Sequence, residues 1–421
     1  MSAGLERRET QLAERPHRSE PDVDVDVEVE TAQQLRVALV HAFAFPEVLR
    51  GAERYLQDLA AALARRGHVV DVFAGTSGPS RVDSSEAGVT IRLVRHLRPG
   101  PIARFGVGCA ETFGLRALRP LHQFRPDVVH ALVPSAAIAG RLVRRPTLYT
   151  VIGHPVPEQI PNTALQREMF HWAGRLASVV AGYSAASARA ASDAFARPAV
   201  VLTPGVHLER FQPSLSPRSG PPRILFPNSL SDERKRADLA VGALSVMLQT
   251  IPSARLRLVG QGDPSWALQA ARHDPALRAA IDVVGPLDPD EIADEYRRAS
   301  VTLLPSEHEA FGIVLLESLA SGTPVVCTPS GGMPEIVSDR SIGRVSEDFS
   351  AGAVAAALFE SIALAAEPGT PTRCRNWAST WSWDTVCLEH EHCYKAMLGG
   401  TKPRNVKSVS QAVPVVPTMP L

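Results

Sequence analysis

From Leu35 onward the chain repeats a simple unit: a short apolar run, a turn, and a stretch in which apolar residues recur at the helical period. Arg36–Val40 is the first run. A loop through Phe45 and Pro46 leads into a helical pattern over Gly51–Arg66, which Gly67 and His68 stop before the next run, Val69–Phe73. Strand, helix, strand in that order predicts a parallel sheet covered by helices. Pro126–His130, Thr147–Val151 and Ser178–Tyr183 add strands, and the lobe they predict spans residues 35–205. Proline then crowds Pro204–Pro222, with Gly205, Gly220 and serines between, which predicts a linker over 206–222. The alternation restarts with strands at Arg223–Phe226, Ala254–Val259, Ile281–Val284, Val301–Leu304, Pro324–Cys327 and Ser341–Val345. Helical patterns at Asp238–Gln249 and Asp288–Ala299 lie between them, so a second doubly wound lobe is expected over 223–382. In the last helical stretch, 383–398, Val386, Leu388, Tyr394, Met397 and Leu398 make a broad apolar face that should pack back on the lobes. Residues 1–34 and 399–421 lack such a period and read as tails; the acid–valine alternation over Pro21–Glu30 leaves an added edge strand as the alternative for the first.

Composition narrows the class. The 421 residues carry 44 Lys+Arg against 44 Asp+Glu, which removes bulk electrostatic binding to nucleic acid from consideration. With 45% apolar and 21% charged residues, the chain has the makeup of a water-soluble globular protein with a large core. No run of about 18 uncharged apolar residues is present and Met1–Glu30 lacks the apolar run of a secretory signal, so a cytoplasmic protein is expected. The five cysteines (Cys109, Cys327, Cys374, Cys387, Cys393) show no Cys-x-x-Cys spacing. In a reducing compartment they are expected as free thiols, although Cys387 and Cys393 could pair in principle.

Two doubly wound lobes joined by a hinge predict a cleft between the carboxyl ends of two sheets, where such folds bind ligands. The most informative segment is Pro305–Val337. It follows a strand, turns at Glu309–Gly312 and enters a helix whose Ile313, Val314, Leu316 and Leu319 are expected to face the sheet. The free amides of Phe311, Gly312 and Ile313 at that helix start form an anion site, and Gly312 lets a ligand approach the backbone. Glu309 and Glu317 beside a phosphate site are better explained by bonds to sugar and ribose hydroxyls than by contact with the anion itself. The plainer alternative makes Glu309 a helix-start acid stabilised by the dipole and Glu317 a solvated helix position.

With Glu309 and Glu317 separated by seven residues that include Phe311-Gly312, and with Gly322-Thr-Pro-Val-Val326 and Gly331-Gly-Met-Pro-Glu335-Ile-Val337 following, the segment resembles the signature of glycosyltransferase family 4, retaining enzymes of the GT-B fold. The resemblance covers roughly residues 36–398 and is strongest in the second lobe. It implies an α/β protein of two Rossmann-like lobes facing a central cleft. It also implies that Glu309 contacts the donor sugar, that Glu317 holds the nucleotide ribose, and that the amides of Phe311, Gly312 and Ile313 contact sugar and phosphate. A lysine that neutralises the donor pyrophosphate matches Lys235, flanked by Arg234 and Arg236, and which of these cations points inward is open. A fixed cation is needed there because breaking the sugar–phosphate bond leaves charge on the nucleotide. The family usually carries an arginine where this chain has Ser229. Leu49-Arg-Gly51-Ala-Glu-Arg54 resembles the family's glycine loop, with Gly51 as its donor-side residue and Arg50 where a first glycine is common. The family's histidine after the fourth strand falls on Ile152, with His154 displaced by two positions, so His154 is either a cleft residue or a surface-loop one; His130 fits a family position or a structural role. Gly260 and Gly262 match the place where the nucleotide base is seated.

No Gly-x-Gly-x-x-Gly follows the first strand of either lobe, which disfavours a nicotinamide or flavin enzyme. Residues 95–125 interleave Arg95, Arg98, Arg104, Arg116, Arg119 and Arg125 with Phe105, Phe113, Leu115, Leu118 and Leu121. That is either a peripheral contact for anionic lipid at the inner face of the membrane or a solvated basic face on the acceptor side. The expectation is a retaining hexosyltransferase using a nucleoside diphosphate sugar, without metal or cofactor, on a small-molecule, glycan or lipid acceptor. Its catalytic set is Glu309, Lys235 and His154; its donor-binding set is Glu317, Phe311, Gly312, Ile313, Gly51, Arg234, Gly260 and Gly262. The alternatives are a nucleotide-sugar epimerase and, because of Ser229 and Ile152, a non-catalytic nucleotide-sugar or glycan-binding protein.

Overall fold

The computed structural model describes residues 33–43, 51–85, 87–97, 100, 103, 107–156, 163–214, 218 and 220–401. Most of the Met1–Gln34 unit, the 399–421 tail beyond Thr401, Arg50, and Arg98, Arg104 and Phe105 of the basic segment lie outside them. Residues from Leu35 onward form one compact unit built on two sheets.

The first sheet comprises β1 (Arg36–His41), β2 (Val69–Thr76), β3 (Arg81–Ser84), β4 (Thr90–Arg95), β5 (Val128–Ala131), β6 (Thr147–Val151), β7 (Val179–Gly182) and β8 (Val200–Val201) in the order β3-β4-β2-β1-β5-β6-β7-β8. Helices α1 (Gly51–Arg65), α2 (Cys109–Phe124), α3 (Pro134–Leu142), α4 (Ala164–Leu176) and α5 (Ala185–Phe195) connect its strands. Central strands buried on both faces account for apolar runs with no alternation, as in β1, where Val37, Leu39 and Val40 have no exposure. The sheet is not wholly parallel: β3 runs antiparallel to β4 as a hairpin edge. Its Arg-Val-Asp-Ser sequence is exposed throughout, so no apolar pattern marked it.

The second sheet is all parallel, with β9 (Arg223–Pro227), β10 (Arg255–Val259), β11 (Ile281–Val284), β12 (Val301–Leu304), β13 (Val325–Cys327) and β14 (Gly343–Val345) in the order β11-β10-β9-β12-β13-β14. Its helices are α6 (Ala237–Leu248), α7 (Pro275–Ala279), α8 (Pro289–Arg298), α9 (Ile313–Ala320), α10 (Met333–Ile336), α11 (Ala351–Ala365) and α12 (Thr370–Ser379). The ends of α8 show why the sequence stops where it does. Asp288 caps the amides of Asp290 and Glu291, Glu291 reaches back to the Asp288 amide, Pro289 opens the helix, and Arg297 and Arg298 complement the dipole at its end. In each sheet the strand order reverses once near the middle, between β1 and β5 and between β9 and β12, and the loops leaving those strand ends diverge to open a crevice.

The chain crosses between the sheets twice, side by side. Val206 forms a bridge with Ser382, and its amide donates to the Trp381 carbonyl at 2.8 Å. A Cβ on Gly205 would lie 2.6 Å from the Trp383 ring, so glycine is required where the two crossings touch. The second crossing delivers α13 (Trp383–Leu398) onto α1 of the first sheet. The expected apolar face is corrected in part. Val386, Tyr394 and Met397 are buried, whereas Leu388 is 50% and Leu398 41% exposed. The buried stripe runs through Trp383, Val386, Cys387, His390, Glu391, Cys393, Tyr394 and Met397; Leu388 falls outside it at roughly 100° per residue, and Leu398 is exposed as the last residue of the helix. All five cysteines are free thiols.

Beneath α13 lies a buried polar layer. The Tyr55 hydroxyl meets His390 Nε2 at 2.8 Å, His130 Nδ1 meets the Tyr394 hydroxyl at 2.8 Å, and His130 Nε2 meets Thr150 Oγ1 at 2.8 Å. Burial pushes His390 down to about 4, against a bond to the Val386 carbonyl that raises it, and burial together with His390 pushes His130 well below the usual histidine range. Both are therefore neutral in the folded protein at pH 7, and in the acid range the unfolded chain binds protons that the folded one refuses. Stability should fall as pH drops below about 6.5, with His390 alone removing on the order of 3 kcal/mol by about pH 4. Urea unfolding between pH 7 and pH 4 checks this, and His390→Gln should flatten the slope.

Candidate active site

The loops that leave β9 and β12, neighbours at the reversal of the second sheet, carry the two groups that meet at the site. The first loop, Asn228–Arg236, ends in a 3-10 turn, Glu233–Lys235, capped by Asp232. Gly260 and Gly262 brace it from behind, since a Cβ on either would lie 1.9 Å from the Asn228 carbonyl or 2.0 Å from Ser231 Oγ. Of the three consecutive cations on it, Lys235 is the one that turns to Glu309 of the second loop, where its Nζ pairs with Oε2. Arg234 folds back on Asp232 at 2.7 Å, and Arg236 engages Asp238 and Glu307. The donor-side role expected of Arg234 thus has no support in its direction, and Ser229, at the arginine position, is exposed.

The second loop turns through His308 at φ 53 and Gly312 at φ 101 before entering α9. It is held from below: the His308 amide donates to Ser330 Oγ at 2.8 Å and the Gly332 amide to the Glu309 carbonyl at 3.0 Å. Gly331 has a positive φ of 57, and a Cβ there would lie 1.8 Å from the Glu309 carbonyl, so only glycine fits. Gly312 is the N-cap of α9 and supplies no side-chain cap, which leaves the helix's first amides and the positive end of its dipole facing the turn. Phe311 is buried at 4% exposure and Ile313 is half-buried, so these residues offer backbone and not side chain. The buried side of α9 differs from the expected one: Leu315 is buried along with Leu316 and Leu319, while Ile313 and Val314 are only half-buried.

Glu317 corrects the reading that would make it a solvated helix position. Its carboxylate is 4% exposed; Oε1 pairs with the Arg54 guanidinium at 2.8 Å and Oε2 accepts from the Tyr296 hydroxyl at 2.8 Å. Tyr296 is fully buried, and burial with the adjacent Glu317 charge pushes its hydroxyl well above the usual range, so it stays a donor. The Glu317 charge also raises Arg54 against the cost of burial. Arg54 comes from α1 of the first sheet, so this ion pair spans the cleft. The Gly-Ala-Glu-Arg segment had pointed to Gly51, yet Gly51 opens α1 with nothing within 4 Å of its Cβ position. Arg54, one turn on, is the residue that reaches the second sheet. Glu53 turns inward to His41 at 3.2 Å.

His154 lies after β6 in the first sheet, half-buried, with Nδ1 lacking a hydrogen-bond partner. Burial and the neighbouring His308 both push it below the usual histidine range, which places it near the loop that carries Glu309. His130 is locked under α13 and does not reach the cleft. Sequence reasoning missed Tyr296, Arg54 and the partners of Glu335. Only Arg54 lay in a motif; Tyr296 reads as an ordinary apolar-face residue of α8. Among the described residues no group of three or more His, Cys, Asp or Glu side chains is placed to hold a metal ion, and no single helix is long and apolar enough to cross a membrane.

A lysine–carboxylate pair and an uncapped helix start at the reversal of one doubly wound sheet, closed by an arginine from another, define a two-lobed enzyme that handles an anionic, hydroxyl-bearing substrate. Residues 50–206 match the family described as glycosyl transferase 4-like domain, and residues 209–376 match glycosyl transferases group 1. The chain is 31% identical over 348 residues to the D-inositol 3-phosphate glycosyltransferase of Acidothermus cellulolyticus, covering 73% of this chain and 77% of that one. To the glycogen synthase of Mycobacterium tuberculosis it is 28% identical over 400 residues, 87% of this chain and 96% of that one. Sucrose-phosphate synthase from Thermosynechococcus elongatus shares the fold, with a TM-score of 0.74 at 21% identity over 87% of this chain and 100% of that one. The chain belongs to the GT4-type, group 1 glycosyltransferases of the GT-B fold, nucleotide-sugar-dependent hexosyltransferases. An epimerase or a purely binding protein finds no better support among these relatives.

Removing Arg54 strands the Glu317 charge in a buried site. Arg54→Ala should cost about 2 kcal/mol in urea unfolding, less than a fully buried pair because the guanidinium is partly exposed. Adding Glu317→Gln to that variant should return a good part of the loss, as a double-mutant cycle would measure.

Proposed function

We infer that the enzyme is a retaining transferase that binds a nucleoside diphosphate hexose in the second lobe and an acceptor hydroxyl from the first, with no metal and no cofactor. The observation that carries this reading is the Lys235–Glu309 pair beside the uncapped start of α9. When the donor pyrophosphate arrives, Lys235 has an anion to neutralise and Glu309 is released to accept hydrogen bonds from sugar hydroxyls. The amides of Gly312 and Ile313 add a second, uncharged contribution at the phosphate. Glu317, with Tyr296 behind it, offers its carboxylate to the ribose hydroxyls in exchange for Arg54.

In the transfer step the bond from the anomeric carbon to the phosphate oxygen breaks and a bond from the acceptor oxygen forms on the same face. The acceptor's proton passes to the departing phosphate oxygen, so charge grows on the nucleotide, where Lys235 and the α9 dipole stabilise it. His154 faces this space from the first lobe and, being neutral, serves as a hydrogen-bond partner for sugar or acceptor hydroxyls. The edge of the first lobe exposes Leu115, Arg116 and Arg119 together on α2, which supports peripheral contact with an anionic membrane and a lipid-linked acceptor.

Calorimetry against UDP-, GDP-, ADP- and TDP-hexoses should find one nucleotide bound selectively. Glu317→Ala should weaken that binding, and Lys235→Ala should lower kcat by about 100-fold or more, the scale of losing one charge stabiliser in the transition state. Turnover should persist in EDTA. Loss of turnover in EDTA with rescue by magnesium would overturn the metal-independent reading, and absence of binding to every donor would overturn the donor site.

A further inference from the structure

Glu335, in the Gly-Gly-Met-Pro-Glu segment, belongs to the second lobe but binds the first. Its Oε2 accepts the Ala185 amide at 2.9 Å and its Oε1 the Ala186 amide at 2.8 Å, so it occupies the positive end of α5 from across the cleft. These are among the amides that a helix leaves without internal partners, and a carboxylate is the group that suits them best. Next to it a second bridge forms: Ser184, the N-cap of α5, donates from Oγ to the Ala310 carbonyl at 2.8 Å while accepting the Ser187 amide at 3.0 Å. Gly332 makes room for this, since a Cβ there would lie 2.6 Å from the Ser184 Cβ and 2.5 Å from the Ala310 carbonyl.

Ala310 lies inside the turn that carries Glu309 and ends at Gly312. The start of α5 therefore touches the donor turn itself, and Glu335 supplies the charged part of the tie between that start and the second lobe. We propose that Glu335 is a positioning residue, a clasp that caps α5 in trans and so fixes the donor turn Glu309–Gly312 against the lobe that presents the acceptor. The inference rests on the transferase reading and deepens it. Glu335 touches no reacting atom. Its effect is to hold two lobes in the register that same-face attack requires, where an error of about 1 Å is enough to slow a reaction about 100-fold.

The test pairs a conformational readout with kinetics on the full chain. In Glu335→Ala, donor-free X-ray scattering should show a larger radius of gyration than wild type. With the nucleotide sugar that binds wild type, kcat should fall ten- to a hundred-fold while calorimetric donor Kd changes less than about threefold. Ser184→Ala, which removes only the second bridge, should show a smaller change of the same kind. Glu335→Gln, which keeps an acceptor oxygen but not the charge, should recover part of kcat. Unchanged scattering in Glu335→Ala would overturn the clasp, and so would opened lobes with unchanged or faster turnover, which would mean that the contact hinders the reaction. If wild type binds and turns over no nucleotide sugar, the transferase reading fails and the catalytic part of this inference with it, whatever the scattering shows.

Discussion

The turn between β12 and α9 is the constraint around which the cleft is built. Its carbonyls need partners where they are buried, and α9 cannot supply them because its own bonds begin only at Gly312, after Glu309 and Ala310. The partners come from elsewhere. Gly332 reaches the Glu309 carbonyl from the same lobe, and Ser184 reaches the Ala310 carbonyl from the other. The two adjacent glycines follow from this, because three backbone segments meet at distances that leave no room for a Cβ. Glu309 thereby points at Lys235 through backbone that is braced on both sides.

The same logic explains how charge is arranged. The second lobe brings two carboxylates, Glu309 and Glu317, to the cleft beside the start of α9. Glu309 is matched by Lys235, and Glu317 by Arg54 with Tyr296. Each acid in the cleft is therefore already paired with a cation, Glu309 within its own lobe and Glu317 across to the other. Opposite charges this close in a poorly screened cleft interact much more strongly than they would in open water.

Much of this was legible from the order of residues. The apolar runs that became β1, β9, β12 and β13 were plain because strands buried on both faces need no alternation, and the Glu309-to-Glu317 spacing stood out with its glycine between. Partners across the cleft were not legible. Arg54 and Glu317 are 263 positions apart by their numbers, and Glu335 and Ala185 are separated by 150. No local period reports such a contact, which depends on how two finished sheets face each other. For the same reason Leu388 looked like part of the docking face of α13 until its neighbour across the interface was known to be α1. The hairpin edge β3 escaped for a different reason: an exposed four-residue strand has nothing apolar to announce it.

The course of α13 bears on how the protein is made. This helix follows the second lobe in the chain, yet its His390, Tyr394 and Glu391 supply partners for Tyr55, His130 and His68 of the first lobe, which leave the ribosome before any of the second. Until residues 383–398 have been synthesised, those buried groups of the first lobe lack the partners that α13 supplies. Vectorial synthesis therefore does not finish the lobes in the order in which they are translated. The lobe begun first is completed last, and the nascent chain carries an unsealed polar face on it until the second lobe has been translated.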